Sequence, residues 1–183
     1  MAASSKVRDL IENALLTDRN VFLWGQVDDD SAKHVVDRLL YLDSISHDEI
    51  QLIINSPGGY VTSGFTIYDT IFAIKSPVST VCSGLAASMG SILLSAGAKG
   101  RRFIQPHARV MIHQPSGGAR GQASSIEIQA REIIKTKEIG AKILSENCGQ
   151  PLDKVMKDFD RDYWMDAAES ITYGIVDGVI EKF

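Results

Sequence analysis

Residues 78–91 read VSTVCSGLAASMGS. Val78 to Cys82 reads as a short β-branched strand, and Ser88 opens an apolar helix running to Ser95. A strand handing over to a buried helix in so short a space is the unit of an α/β fold. One hydroxyl, Ser88, stands among Ala86, Ala87, Met89 and Gly90. Small residues so arranged mark either a packing seam or a place where backbone must approach something closely.

The same alternation extends in both directions. Upstream, Asp9 to Leu16 is predicted as a helix with Leu10, Ile11, Ala14 and Leu15 on one face. Val21 to Trp24 is a strand, and DDDSAKHVVDRLLYLD a helix with acidic residues at its start. Ile50 to Ile54 is a second strand, stopped by Asn55-Ser56-Pro57-Gly58-Gly59, and helix follows from about Thr62 to Ile74. Downstream, Arg102 to Ile104 and Arg109 to Ile112 read as strands. After the loop Gln114 to Gln122 a helix is predicted over about Ser124 to Asn147. Ser124-x-x-Glu127 reads as its capping box and Cys148-Gly149 as its end. Its roughly 24 residues would span ~36 Å, about the width of a small domain. Such a helix is expected to pack against another subunit, the alternative being that it lies along its own domain. The expectation is a single α/β domain over residues 1–183 with parallel strand pairing.

Composition excludes several classes. A net charge of −4 with scattered Lys and Arg gives no electrostatic footprint for nucleic acid. Gly84 to Ala98 is too short and too rich in Ser and Gly to cross a bilayer, and MAASSKVRDL has no signal-peptide apolar region. A soluble, cytoplasmic protein is expected. Cys82 and Cys148 have no CxxC spacing, so neither a disulfide framework nor a metal site is expected, and both read as buried thiols.

Two glycines at the C-terminal end of a strand, Gly58 and Gly59, allow backbone N–H groups to face a ligand. Ser88 at a helix start leaves the Met89 amide free to stabilise an oxyanion if the hydroxyl attacks a carbonyl. The flanks are not those of a GxSxG elbow, because Ala86 replaces the first glycine. The competing reading makes Ser88 a helix N-cap. A serine nucleophile requires a nearby base, and His34, His47, His107 and His113 are the candidates. His113 ends a strand, whereas His34 and His47 sit in polar surroundings and His107 in a turn. Asp158, Asp160, Asp162 and Asp166 crowd one segment, and spacing does not choose a third member among them. SGGARGQ, residues 116–122, reads as a mobile loop or as an edge that pairs with an extended peptide. It is not followed by the Gly-Lys-Ser/Thr of a Walker A motif, and that motif occurs nowhere in the chain.

INSPGG (54–59), GLAASMGS (84–91), MIHQP (111–115) and DRDYWM (160–165), in this order and separation, resemble the proteolytic subunit of the caseinolytic Clp protease, ClpP. The similarity runs from about Leu10 to Ile180. It implies a crotonase-like ββα spiral with a protruding handle at approximately residues 114–148. It places the nucleophile on Ser88, the base on His113, the orienting acid on Asp162 and the oxyanion amides on Gly59 and Met89. It makes Gly117, Gly118, Gly121 and Gln122 a substrate-holding segment. It implies a serine endopeptidase acting on unfolded polypeptides inside two stacked seven-membered rings, homomeric or mixed with a second paralog. An AAA+ ATPase would feed the chamber and consume the ATP, so no cofactor is expected in this chain. One departure stands out: only nine residues, MAASSKVRD, precede the stretch that matches the first helix, where the family carries an axial hairpin. That departure sustains a second reading, a structural paralog of low activity in a mixed particle. A third, a crotonase-type acyl-CoA enzyme, shares the spiral but uses carboxylates in place of a serine triad.

Overall fold

The computed structural model describes residues 2–118 and 120–181. In chain order the elements are α1 (Ala2–Thr17), β1 (Asn20–Trp24), α2 (Asp29–Ile45), β2 (Ile50–Ser56), α3 (Val61–Ala73) and β3 (Val78–Ala87). There follow α4 (Met89–Ser95), β4 (Arg102–Ile104), β5 (Arg109–Ile112), α5 (Ala123–Cys148), α6 (Leu152–Asp158), β6 (Tyr163–Met165), α7 (Ala167–Tyr173) and β7 (Gly178–Val179). The α/β class read from the alternation is the class of the structure.

β3 organises the sheet by changing partners halfway along its length. Its first half, Thr80 to Cys82, pairs with β4, and its second half, Leu85 to Ala87, pairs with β5, both parallel. The register with β2 slips at the same place, from Ile54 opposite Cys82 to Ser56 opposite Ala86. This is a bulge, and Gly84 occupies it at φ 91°, a left-handed value that an L side chain adopts only with strain. The Ser-Gly pair therefore bends the strand and does not end it, so β3 runs to Ala87 and not to the expected Cys82. The main sheet runs β1-β2-β3-β4-β7, with β5 and β6 carried off its centre. Pairing is parallel throughout except at β5–β6, where Ile112 faces Tyr163 in antiparallel register. β6, α6, α7 and β7 lie beyond the last element predicted from the sequence.

β2 is buried at nearly every position, as expected of a parallel strand covered on both faces. Val21, Leu23, Leu39, Leu52, Ile54, Leu93, Leu94, Ile104 and Ile112 belong to one core cluster beneath α2, α3 and α4. α2 starts at the N-cap Asp28, whose carboxylate accepts from the Ser31 N–H while the Ser31 hydroxyl accepts from the Asp28 N–H. α1 starts at Ala2, well before the predicted Asp9.

α5 has 26 residues, so it extends about 39 Å. The predicted box at Ser124 is not formed. Gln122 is the N-cap, its C=O accepting from the Ile126 N–H, so Ser124 already lies inside the first turn. The predicted stop is present, with Gly149 left-handed at φ 67°. Gly140, Ala141 and Leu144 bury the C-terminal half of α5, while residues 123–132 are exposed and Ile128 and Ile134 face outward. Cys82 is buried and Cys148 half-buried, both are free thiols, and burial pushes each up to about 12. No helix among the described residues is long and apolar enough to cross a membrane.

Candidate active site

Ser88 occupies the N-cap position of α4, yet its hydroxyl makes no capping hydrogen bond. Its Oγ lies 2.9 Å from His113 Nε2 instead. The backbone around it is held from both sides. The Ser88 N–H donates to the Met111 carbonyl of β5 at 2.9 Å, and its own carbonyl accepts from the Ser91 N–H at 3.0 Å and the Ser91 hydroxyl at 2.6 Å. Within that grip Ser88 has φ 53° and ψ −123°, a sparsely populated conformation for a non-glycine residue. A strand, a strained serine and a helix make the local geometry of a nucleophile elbow without its glycine signature.

Close approach replaces that signature. Gly58 stands against the junction so tightly that a Cβ there would lie 2.6 Å from Ser88 Cβ, 2.7 Å from the Ala87 carbonyl oxygen and 2.9 Å from the Met89 nitrogen. The second glycine, Gly59, is packed on Val27, whose backbone a Cβ would strike. The parallel bridge there uses the Val27 N–H to Gly58 and the Tyr60 N–H to Val27, so the Gly59 N–H takes no part in it. Met89 is the first residue of α4, and its N–H has no intrahelical acceptor.

β5 and β6 explain why a histidine and an aspartate 49 residues apart meet. Ile112 pairs with Tyr163, so one step beyond the ladder His113 falls opposite Asp162. His113 Nδ1 lies 3.0 Å from Asp162 Oδ1, and the side chain of Asp162 is 61% exposed. The crowded aspartates thereby separate by task. Asp158 pairs with Lys154 at 2.7 Å. Asp160 receives the Gln114 side chain and Lys137. Asp166 caps α7 in a reciprocal box with Glu169. Asp162 alone of the four meets the imidazole. His34, His47 and His107 are exposed and stand apart from this group, His47 contacting Asp43.

Residues 3–183 match the family model described as Clp protease. The chain belongs to the Clp protease family. Its activity class is accordingly that of a ClpP-type peptidase.

In this Clp protease chain, residues 116–118 and 120–122 form an exposed loop leading into α5. Gly117 and Gly118 carry no strand pairing, and Gly121 has φ 130°. Ala119, within the expected substrate-holding segment, lies outside the described residues. Sequence reasoning missed the apolar pocket beside the serine. Ser88, Met89 and His113 border it, Val61, Phe65, Ile92, Pro115, Thr136, Gly140 and Phe159 complete its walls, and it is partly open to solvent. These residues come from α3, α4, α5 and the segments that follow β5 and α6, so no single periodicity announces them. Among the described residues no group of three His, Cys, Asp or Glu side chains is arranged to hold a metal.

Proposed function

We propose that the chain is a serine endopeptidase in which Ser88 is the nucleophile, His113 the general base and Asp162 the orienting acid. The observation that carries this reading is the hydroxyl of Ser88, which forgoes the helix cap and is hydrogen-bonded to an imidazole whose other nitrogen meets a carboxylate. His113 takes the Ser88 proton as Oγ attacks the substrate carbonyl carbon. The imidazolium then protonates the leaving amine, and the acyl-enzyme is released by water activated by the same imidazole. The Gly59 and Met89 amides would stabilise the tetrahedral oxyanion, each donor contributing about 3 kcal/mol. The apolar pocket would take the side chain on the acyl side of the scissile bond. Gly117, Gly118, Gly121 and Gln122 would hold the substrate backbone as an added strand.

Membership of the Clp protease family supports unfolded polypeptides as substrates, an AAA+ Clp ATPase that delivers them at the expense of ATP, and a cytoplasmic ring assembly. No cofactor is assigned to this chain. The exposed isoleucines on the projecting half of α5 support a role for this helix in joining two seven-membered rings, homomeric or mixed with a second paralog.

The test is labelling with a fluorophosphonate. Ser88 is expected to be modified, Ser88→Ala to be unlabelled yet folded with peptide hydrolysis lowered roughly 10⁴-fold or more, and a CoA thioester to be left untouched. A chain unlabelled in every assembly state, including with a second paralog ring and ATPase, overturns the proposal.

A further inference from the structure

β2 ends on a buried hydroxyl that the proposed reaction does not use. Ser56 is wholly shielded from solvent and pairs with Ala86 just past the bulge in β3. A hydroxyl in such a place costs free energy unless it is hydrogen-bonded, a cost that alanine would avoid. Its partner is the Gly58 N–H, which donates to Ser56 Oγ at 3.0 Å. The serine thus closes a turn on the backbone two residues further on.

The same glycine is held at its other end, where its carbonyl accepts from the Val27 N–H at 2.9 Å. The peptide group that carries this carbonyl also carries the Gly59 N–H, and in a planar trans peptide the two point in opposite directions. Fixing the carbonyl on Val27 therefore turns the Gly59 N–H away from the β1–α2 loop. Ser56 holds the peptide before Gly58 and Val27 the peptide after it. Between them Gly58, at φ 91°, has no side chain to resist rotation once either grip is lost. Ser56 also lies against the other amide of the candidate oxyanion site. A Cβ on Gly90, the residue after Met89, would come within 3.1 Å of the Ser56 carbonyl oxygen and 3.4 Å of Ser56 Cβ. The end of β2 is thus packed on the first turn of α4, which carries the Met89 N–H.

Resting on the serine-peptidase reading above, we propose that Ser56 is a positioning residue for the oxyanion. Its hydroxyl fixes the Gly58 amide so that the next N–H, that of Gly59, meets the charge developing on the substrate carbonyl oxygen. The role is indirect, exerted through the backbone of Gly58 and Gly59.

The test gives the assembled protein a short peptide ester and its thionoester, identical except that sulfur replaces the carbonyl oxygen. Sulfur is a weak hydrogen-bond acceptor, so the preference for the oxygen ester reads how well the amides meet the oxyanion. Ser56→Ala should lower kcat on the oxygen ester by about tenfold with KM unchanged, a part of the roughly 10²–10³-fold lost when a donor is removed outright. The thionoester should lose less than about twofold, so the oxygen-over-sulfur ratio falls. Ser95→Ala is the control. It removes another buried hydroxyl, at the far end of α4, bonded to the Ile92 carbonyl and the Asn147 amide. It should lower the melting temperature by a similar amount and leave the ratio unchanged. Three outcomes overturn the proposal: a wild type with no preference for oxygen, a ratio unchanged in Ser56→Ala whether or not both rates fall, and a ratio that falls as far in Ser95→Ala. Fluorophosphonate labelling of Ser88 separates the two levels. An unlabelled wild type overturns the peptidase reading itself, whereas a labelled wild type with any of those three outcomes overturns only the role of Ser56.

Discussion

Ser88 and Asp162 stand at the two ends of one hydrogen-bonded chain, and they are held in contrasting ways. Around Ser88 the constraints are buried and mostly backbone: the carbonyl of Met111 on one side, the first turn of α4 on the other, and Gly58 pressed against its Cβ position. Around Asp162 they are few and near solvent. The Gln114 N–H donates to the Phe159 carbonyl at 2.5 Å, the Gln114 amide donates to the Asp160 carbonyl at 2.8 Å, and Lys137 of α5 reaches Asp160 at 3.3 Å. The geometry of the proposed nucleophile is therefore a property of the core, and that of the proposed acid a property of the surface. Only the second is open to salt, to the position of the projecting helix and to whatever packs against it.

Replacing the acid itself should have the largest effect on rate and almost none on folding. Asp162→Asn is expected to lower kcat by about 10³–10⁴-fold, because an amide no longer holds the imidazole in the productive tautomer. An exposed side chain contributes little to the folded state, so the melting temperature should move by no more than about 2 °C. Peptide hydrolysis and calorimetry on the same preparation check both halves. A large loss of stability would place Asp162 with the core and remove the contrast.

The reverse experiment crowds Ser88, the proposed nucleophile. In Gly58→Ala the new methyl meets the Ala87 carbonyl and the Met89 nitrogen, backbone atoms that cannot rotate away, at a residue whose φ of 91° already disfavours alanine. Displacement of the Ser88 hydroxyl should lower kcat/KM by about 100-fold, and here stability should fall too, by about 2–3 kcal/mol. Loss of activity with unchanged melting would mean that the junction yields locally and is less rigid than its packing indicates.

A third variant compares acid with acid. Asp177 binds Arg102, which is 6% exposed, at 2.6 Å, and Arg102 also donates to the Asn147 carbonyl at the end of α5. The hydrogen bond from Arg102 holds the Asp177 carboxyl below the usual carboxylate range, against the opposing effect of burial. A depressed carboxylate stabilises the fold above its unfolded value of 3.8 and loses that contribution as pH falls through the folded value. Asp177→Asn should cost about 3 kcal/mol near neutrality by stranding a buried guanidinium. The gap to wild type should shrink as pH is lowered from about 5 to about 3, read by denaturant unfolding. Below the melting transition, turnover should stay within about twofold of wild type, the mirror image of Asp162→Asn.

The same contrast separates what was legible in the sequence from what was not. The segments leading up to Ser88 carry regular apolar patterns, so β2, α3 and the start of β3 fall close to their predicted limits. The extension of β3 past Gly84 was missed because a glycine inside a strand signals a bulge as readily as a stop. Among the aspartates spacing gave no choice, since selection depends on an antiparallel pairing of a three-residue strand, β6, that periodicity is too short to reveal. Motif resemblance singled out Asp162, and the ladder from Ile112 to Tyr163 supplies the physical reason it faces His113. The pocket beside Ser88 gave no signal at all, because its walls meet only when α3, α4, α5 and the segment containing Phe159 are brought together.

The smallest effect is the most direct probe of how the acid is held. Two restraints act on its segment: the β5–β6 ladder on one side, and the Gln114–Asp160 contact with its link to Lys137 on the other. Gln114→Leu keeps the backbone donation to Phe159 and removes only the side-chain bonds, so it should lower kcat by about fivefold and leave KM and melting nearly unchanged. Lys137→Met should cost about twofold and should abolish any difference in rate between low and high salt, because an exposed ion pair is the element that salt screens. A neutral Gln114→Leu would mean that the ladder alone positions Asp162. A loss as large as that of Asp162→Asn would mean instead that the ladder contributes little, and that the carboxylate is aligned through the contact with α5. In that case movement of the projecting helix would be transmitted to the imidazole through Lys137, Asp160 and Gln114.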